Sequence, residues 1–260
     1  MNCFNVTRGK NPLVHHITNY VTVNDCANVC ICAHGSPVMT DEADDIPQMT
    51  KIASSLVLNI GTLNNRTVES MIIAGKVAND SKIPIVFDPV GVGATSYRTD
   101  VASRIIGECR PSVIKGNAGE IGVLSGIGGD VKGVDSNGIN GDLSEAVRML
   151  SNKYGCIVAA SGPVDYVSDG DVTYELGNGS DYQGLVSGTG CMLSSVIGCY
   201  VGACGASIDS VVSAITVFNI AAESAERNAK GPASFKVSLM DALYSLKTDD
   251  IEKMAKVRIL

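Results

Sequence analysis

Tryptophan is absent from this chain and aromatic residues make up only 5% of it. The core must therefore be built from Val, Ile, Leu, Ala and Met, a stock that suits helices packed on a parallel sheet. Positive charge is also short: 20 Lys and Arg stand against 27 Asp and Glu, a formal charge of −7. That balance excludes a surface built to neutralise nucleic-acid phosphates or to lie on an anionic membrane, so any bound anion must be held locally. The segment Met1 to Lys10 has no apolar h-region, and no uninterrupted apolar run reaches bilayer length. Both features point to a cytoplasmic protein with no membrane association.

Two common nucleotide motifs are missing as well. Gly91-Val92-Gly93 follows an apolar run as a dinucleotide loop would, but Ser96 stands where the third glycine is needed, and Asp88 would face a pyrophosphate unfavourably. No Gly-Lys-Ser or Gly-Lys-Thr follows a strand, and Gly116-Asn117 occupies that kind of place instead. Nine cysteines is an odd count for a secreted disulfide framework, and their spread fits reduced thiols used as small hydrophobes. Cys26, Cys30 and Cys32 lie on an apolar helical pattern with His34 as the nearest imidazole and no second ligand pair, which favours packed thiols over zinc.

What the chain does have is a regular alternation of short apolar runs and helical patterns, the signature of a mainly parallel sheet in a single α/β domain spanning 1–260. Strands are expected at Leu13 to Thr18, Pro37 to Met39, Leu56 to Ile60, Ile85 to Phe87, Val113 to Lys115 and Ile157 to Ala160. Asp165 to Val167 and Val172 to Tyr174 read as an antiparallel hairpin at a sheet edge. Helices are expected at Thr67 to Asp80, Arg98 to Cys109, Leu143 to Tyr154, Met192 to Ala203, Ser210 to Asn228 and Val237 to Leu246. Gly126 to Gly141, with six glycines among polar residues, reads as a mobile loop that closes over a nucleotide.

In open α/β sheets ligands gather at the carboxyl ends of the strands. Polar clusters fall at five such ends: Thr18-Asn19, Gly61-Thr62, Asp88 to Gly93, Gly116-Asn117 and Ser161-Gly162. Asp88 and Glu120 suit a magnesium ion, which keeps most of its waters and takes only one or two carboxylates beside substrate phosphates. Asn117 and Glu120 equally fit a capping box, and one pair can serve both ends. The run Gly188-Thr189-Gly190-Cys191 opens an apolar helix whose free amides form an anion site. Cys191 in that field is expected to have a lowered pKa, the alternative being a small buried residue in a tight helix start. His15 and His16 are neighbours on a strand, so only one faces any given side, and packing explains them better than catalysis. Asp41 to Asp45 reads as a solvated helix start.

The runs Pro12 to Asn19, Gly35 to Met39, Leu58 to Leu63, Asp88 to Thr95, Gly116 to Ile121 and Gly188 to Cys191 together resemble hydroxyethylthiazole kinase, in that family's order and over nearly the whole chain. The resemblance implies a ribokinase-like three-layer α/β/α fold, a homotrimer with active sites at subunit interfaces, and ATP- and Mg2+-dependent phosphorylation of a thiazole alcohol in thiamine salvage. By position it implies that Met39 and Gly188 contact the thiazole, with Asn19, Gly61 and Thr62 lining the same pocket. Lys115 and Ser161 fall at ATP-binding positions, to which the residue reading adds Asn117. Asp88 and Glu120 fall at positions associated with magnesium, and Cys191 stands where other ribokinase-like enzymes carry an aspartate general base. Lys115 replaces that family's common arginine, which keeps the charge but loses the planar fork, and Ala233 replaces a usual glycine. Rival readings are a hydroxymethylpyrimidine kinase, an ATP-dependent hydratase for nicotinamide cofactors, or a thiazole-binding protein without turnover.

Overall fold

Alternation along the strands sets the layers. In β3 (Ser55–Asn59), Leu56 and Leu58 point to one face of the sheet and Val57 to the other; in β4 (Ile85–Asp88), Ile85 and Phe87 oppose Val86. Each face therefore carries its own apolar core, and helices cover both. The computed structural model describes residues 2–127 and 142–260; most of the glycine-rich segment read as a closing loop lies outside them.

The remaining strands are β1 (Leu13–Ile17), β2 (Ser36–Met39), β5 (Val113–Asn117), β6 (Ile157–Ser161), β7 (Asp165–Ser168), β8 (Thr173–Leu176) and β9 (Val257–Ile259). They form one sheet in the order β2-β1-β3-β4-β5-β6-β7-β8-β9. The first six are parallel and the last three antiparallel, so the expected edge hairpin is present and β9 extends it. One face is covered by α3 (Ile46–Ile52), α4 (Asn65–Asp80), α5 (Ser96–Cys109), α6 (Ala118–Ser125) and α7 (Leu143–Tyr154). The other is covered by α1 (Asn2–Lys10), α2 (Val23–Cys32), α8 (Thr189–Cys204), α9 (Ile208–Glu226), α10 (Pro232–Ser245) and α11 (Thr248–Met254). Side-chain caps start the helices where the sequence supplies them, as Asn64 does for α4, Thr95 for α5 and Ser207 for α9. Among the described residues α9 is the one helix long and apolar enough to cross a membrane, and 72% of its apolar window is buried in the core.

Two features of this frame position the site. The chain runs from β1 out to β2 and then returns to place β3 on the other side of β1, so a crevice opens between the carboxyl ends of β1 and β3. Such a reversal of strand order is where open α/β sheets bind ligands. Above it, α8 packs on β1, β3, β4 and β5. Gly198 makes that approach possible, since a Cβ there would stand 2.6 Å from Val57 Cγ2 and 3.0 Å from Val14 Cγ1.

Seven cysteines are free, as expected, and Cys26, Cys30, Cys109, Cys156 and Cys199 are buried. Cys3 and Cys204 depart from the expectation of reduced thiols: they are paired in a disulfide that joins α1 to the end of α8. Packing across 201 residues of sequence brings them together, which no spacing rule shows. The described residues hold no cluster of three or more His, Cys, Asp or Glu able to bind a metal.

Both strand histidines are packed. His15 bonds Thr50 Oγ1 and the Thr40 carbonyl on one face of β1, while His16 bonds Ser195 Oγ and the Val14 carbonyl on the other. Burial pushes the His16 pKa down to about 4. At neutral pH the ring is uncharged in both folded and unfolded chains. As pH falls from about 6.5 to about 4 only the unfolded chain takes the proton, so stability is lost, by up to ~3 kcal/mol from this one group. The stability difference between the wild type and a His16→Gln variant should therefore shrink on acidification over that window, as read by chemical denaturation.

Candidate active site

The first turn of α8 is set by Gly188, whose φ of 90° is left-handed. A Cβ at Gly188 would run into the Thr22 methyl, so the position is closed to side chains twice over. Gly188→Ala is expected to cost about 1–3 kcal/mol of stability. In thermal unfolding, a further Thr22→Ser change should recover only the steric part.

Cys191 sits at the third residue of this helix and is half-buried. Its sulfur accepts hydrogen bonds from Asn19 Nδ2 and Asn59 Nδ2, both at 3.3 Å. Burial, reinforced by the negative charge of Asp88, pushes the thiol pKa up to about 11. This corrects the expectation of a lowered pKa: the helix start is under cover and faces a carboxylate, and together these outweigh the neighbouring Lys115. Cys191 is thus a neutral thiol at neutral pH.

Asp88, at the carboxyl end of β4, is buried. Its Oδ2 accepts from Ser194 Oγ at 2.7 Å and Asn59 Nδ2 at 3.0 Å, and lies 3.8 Å from Lys115 Nζ. Burial raises the Asp88 carboxyl above its ordinary value despite Lys115. Glu120 accepts from the Gly91 and Asn117 amides, each at 2.8 Å, while Asn117 Oδ1 accepts from Glu120 N at 2.9 Å. The capping box is therefore real, and it holds a carboxylate that is raised first by burial and then by Asp88. Lys115 points up from β5 and donates to the Gly190 carbonyl at 3.1 Å. Burial pulls its pKa down, but Asp88, Glu120, Cys191 and Asp165 outweigh that and hold the ammonium above its ordinary value.

The β1–β3 crevice also holds Gly61, whose amide donates to Asn59 Oδ1 at 2.9 Å, and Thr62, whose hydroxyl accepts from the Tyr20 amide at 3.1 Å. Asn19, Gly61, Gly188, Cys191, Asp88, Lys115 and Glu120 are thus linked through direct contacts or one intervening residue. Met39 ends the edge strand β2 opposite His16, at the same end of the sheet. Ser161 ends β6 opposite Asn117, and its hydroxyl donates to the Gly116 carbonyl at 3.3 Å.

A cavity of about 430 Å³ opens beside Lys115, between Ser161, Gly162, Asp165, Thr189, Gly190 and Asn219. Asp165 Oδ1 accepts from Gly162 N, and Oδ2 from Asn219 Nδ2; burial pushes this carboxyl up to about 6. A larger space, about 1040 Å³, lies at the far end of α8 near Cys3, Lys10 and Cys204, remote from the titratable cluster.

Sequence reasoning passed over Asn59, Thr22, Ser194, Asp165 and Asn219. A signal existed for Asn59 alone, as an amide ending a fully buried apolar strand. Ser194 and Asn219 lie inside apolar helices and reach Asp88 and Asp165 only through tertiary packing.

A largely parallel sheet with this crevice, covered by helices on both faces, gives a ribokinase-like fold. A pyridoxal kinase from Staphylococcus aureus in complex with AMP-PCP and pyridoxal, 16% identical, superposes with a TM-score of 0.61 over 96% of this chain and 98% of the other. The model of the hydroxyethylthiazole kinase family matches residues 5–249. The hydroxyethylthiazole kinase of Methanocella arvoryzae is 49% identical over 251 residues, covering 96% of this chain and 94% of the relative. A solved hydroxyethylthiazole kinase from Pyrococcus horikoshii, 38% identical, gives a TM-score of 0.91 over 100% of this chain and 98% of the other. The chain belongs to the hydroxyethylthiazole kinase family, and it is an enzyme of the phosphotransferase kind.

Proposed function

We propose that this chain transfers the γ-phosphoryl group of ATP to the hydroxyl of 4-methyl-5-(hydroxyethyl)thiazole, as a cytoplasmic enzyme of thiamine salvage. The observation that carries the reading is the first turn of α8. It brings free helix amides, a half-buried thiol and a carboxylate–ammonium pair to the crevice between β1 and β3.

Phosphoryl transfer passes through a loose transition state with charge spread over the equatorial oxygens, so positioning and electrostatics supply most of the catalysis. In this reading the Gly188 to Cys191 turn faces the transferring group. Lys115 holds phosphate oxygens, Ser161 borders the nucleotide in the 430 Å³ cavity, and Asn117 stands beside Ser161 on the neighbouring strand. The thiazole lies against Asn19, Met39, Gly61, Thr62 and Gly188. Cys191, a neutral thiol, orients the alcohol hydroxyl by hydrogen bonding to its oxygen. As the new P–O bond forms and the bond to the nucleotide's β-phosphate breaks, the hydroxyl proton passes to an oxygen of the transferred phosphoryl group.

The donor set fits a magnesium ion. Asp88 and Glu120 are two buried carboxylates beside a single lysine, and Asp88 Oδ1 carries none of the bonds that tie down Oδ2. Asp88 and Glu120 would hold the ion, which would supply positive charge to screen the polyphosphate. Tyr20, Val21 and Leu185 are 77%, 61% and 63% exposed, next to Asn19 and the Gly188 turn. Exposed apolar residues at the mouth of the thiazole site support a homotrimer in which a neighbouring subunit closes that mouth.

The test is mass-spectrometric detection of phosphorylated product after incubation with Mg-ATP, the thiazole alcohol and hydroxymethylpyrimidine competing in one tube. Phosphorylated thiazole alone is the expected result. Phosphorylated pyrimidine would move the reading to the rival kinase. No product from either alcohol would move it to the cofactor hydratase or to thiazole binding without turnover.

A further inference from the structure

Asn59 stands out because every hydrogen-bonding position of its side chain is used, and used by a different part of the site. Oδ1 accepts from the Gly61 amide and from Asn19 Nδ2, both at 2.9 Å. Nδ2 donates to Asp88 Oδ2 at 3.0 Å and to Cys191 Sγ at 3.3 Å. The orientation is fixed by chemistry. Gly61 N–H is a backbone donor and can only meet an oxygen, so the amide nitrogen must face the carboxylate and the sulfur. Asn19 is filled in the same manner: Oδ1 accepts from Thr22 N at 3.1 Å and Thr22 Oγ1 at 3.0 Å, and Nδ2 donates to Asn59 and to Cys191. The two amides span the crevice between β1 and β3, one from each side.

Two donors on one sulfur leave Cys191 little rotational choice. Both lone pairs of its Sγ are engaged from the sheet side, so the S–H bond is directed away from Asn19 and Asn59. The same Asn59 nitrogen ties that sulfur to Asp88, which Ser194 braces from the next turn of α8. We propose that Asn59 is a positioning residue that locks the Cys191 sulfur in register with Asp88, so that thiol and carboxylate present a fixed geometry to the reacting groups. This rests on the reading of Cys191 as the group facing the alcohol hydroxyl. Asn59 itself is buried, with its side-chain bonds already taken by these groups.

A double-mutant cycle separates this role from simple support of the fold. Asn59→Leu removes both donors at similar volume and is expected to lower kcat by about 10- to 100-fold, with KM for the alcohol changed by less than about 3-fold. In the Cys191→Ala background the same change should cost less than about 3-fold, because the group it positions is gone. A crystal structure of Asn59→Leu should show Cys191 in more than one rotamer, or Sγ displaced by more than about 0.5 Å. Should the leucine variant fail to fold, Asn59→Asp keeps an acceptor for the Gly61 amide and leaves at most one of the two donors, and the same cycle applies to it.

Losses that multiply in the double variant, with Cys191 unmoved in the crystal, would overturn the proposal. The reading of Cys191 fails separately, and visibly, if Cys191→Ala alone leaves kcat unchanged.

Discussion

Replacing Cys191 with alanine should lower kcat by about 10²- to 10⁴-fold without abolishing turnover, the range for loss of a general base. The structure places the effect toward the lower end of that range. With burial and Asp88 holding the thiol pKa near 11, only about one Cys191 in 10⁴ is a thiolate at neutral pH. A strong ground-state base is therefore not what this residue supplies. In a loose transition state the attacking oxygen loses its proton late, to the phosphoryl oxygens, and a fixed hydrogen-bonding group that orients the hydroxyl suffices. In the proposed mechanism the remaining catalysis comes from parts the substitution leaves in place: the helix amides of Gly188 to Cys191, Lys115 and Asp88. The check is steady-state kinetics at saturating alcohol and nucleotide. A rise in KM alone would make Cys191 a binding residue, and unchanged turnover would remove it from the mechanism.

The largest effect on stability is expected from Lys115→Met. Lys115 is 4% exposed and is the ammonium whose field reaches Asp88, Glu120 and Asp165, all of them buried. Removing one partner of a buried charge cluster leaves the others uncompensated, at a cost of about 3–5 kcal/mol. For a chain of this size that lowers Tm by roughly 6–20 °C.

The sign with pH follows from the raised carboxyls. Acids whose folded pKa lies above the unfolded value cost nothing below the unfolded pKa, where both states are protonated, and lose stability as pH rises through the folded pKa. The Tm gap between wild type and Lys115→Met should therefore be widest at neutral pH and narrow on acidification. Millimolar Mg2+ should raise the Tm of the variant more than that of the wild type if Asp88 and Glu120 hold the ion. Lys115→Arg keeps the charge and is expected to retain stability.

The parallel sheet was legible because each of its strands is a short apolar run bounded by turn residues, from Leu13-Val14 to Ile157-Val158. Helices with long apolar faces, such as α8 and α9, were legible for the same reason. Elements held by distant partners were not. α1 is mostly polar, and its last turn is fastened by Arg8 to the Leu246 carbonyl and by Lys10 to the Ala203 carbonyl. β9 is three residues that become a strand only by pairing with β8.

At the site, residue types and their order along the sheet edge pointed to Asp88, Glu120 and Cys191, while Lys115 came only with the family resemblance. Asn117 and Glu120 form the box that their spacing allows. The acidity of Cys191 was misjudged because a helix start read from sequence carries no information about what covers it. Asn59 and Asn19 meet only where the strand order reverses, a property of topology and not of either segment.

The central claim is that an alcohol is phosphorylated at the amino end of α8. A crystal structure with the thiazole alcohol and a non-hydrolysable ATP analogue tests it most directly. The account predicts the alcohol oxygen within about 3–3.5 Å of Cys191 Sγ, in reach of attack on a terminal phosphate that faces the Gly188 to Cys191 amides and Lys115. An alcohol bound elsewhere, or a terminal phosphate turned away from that helix turn, would contradict it.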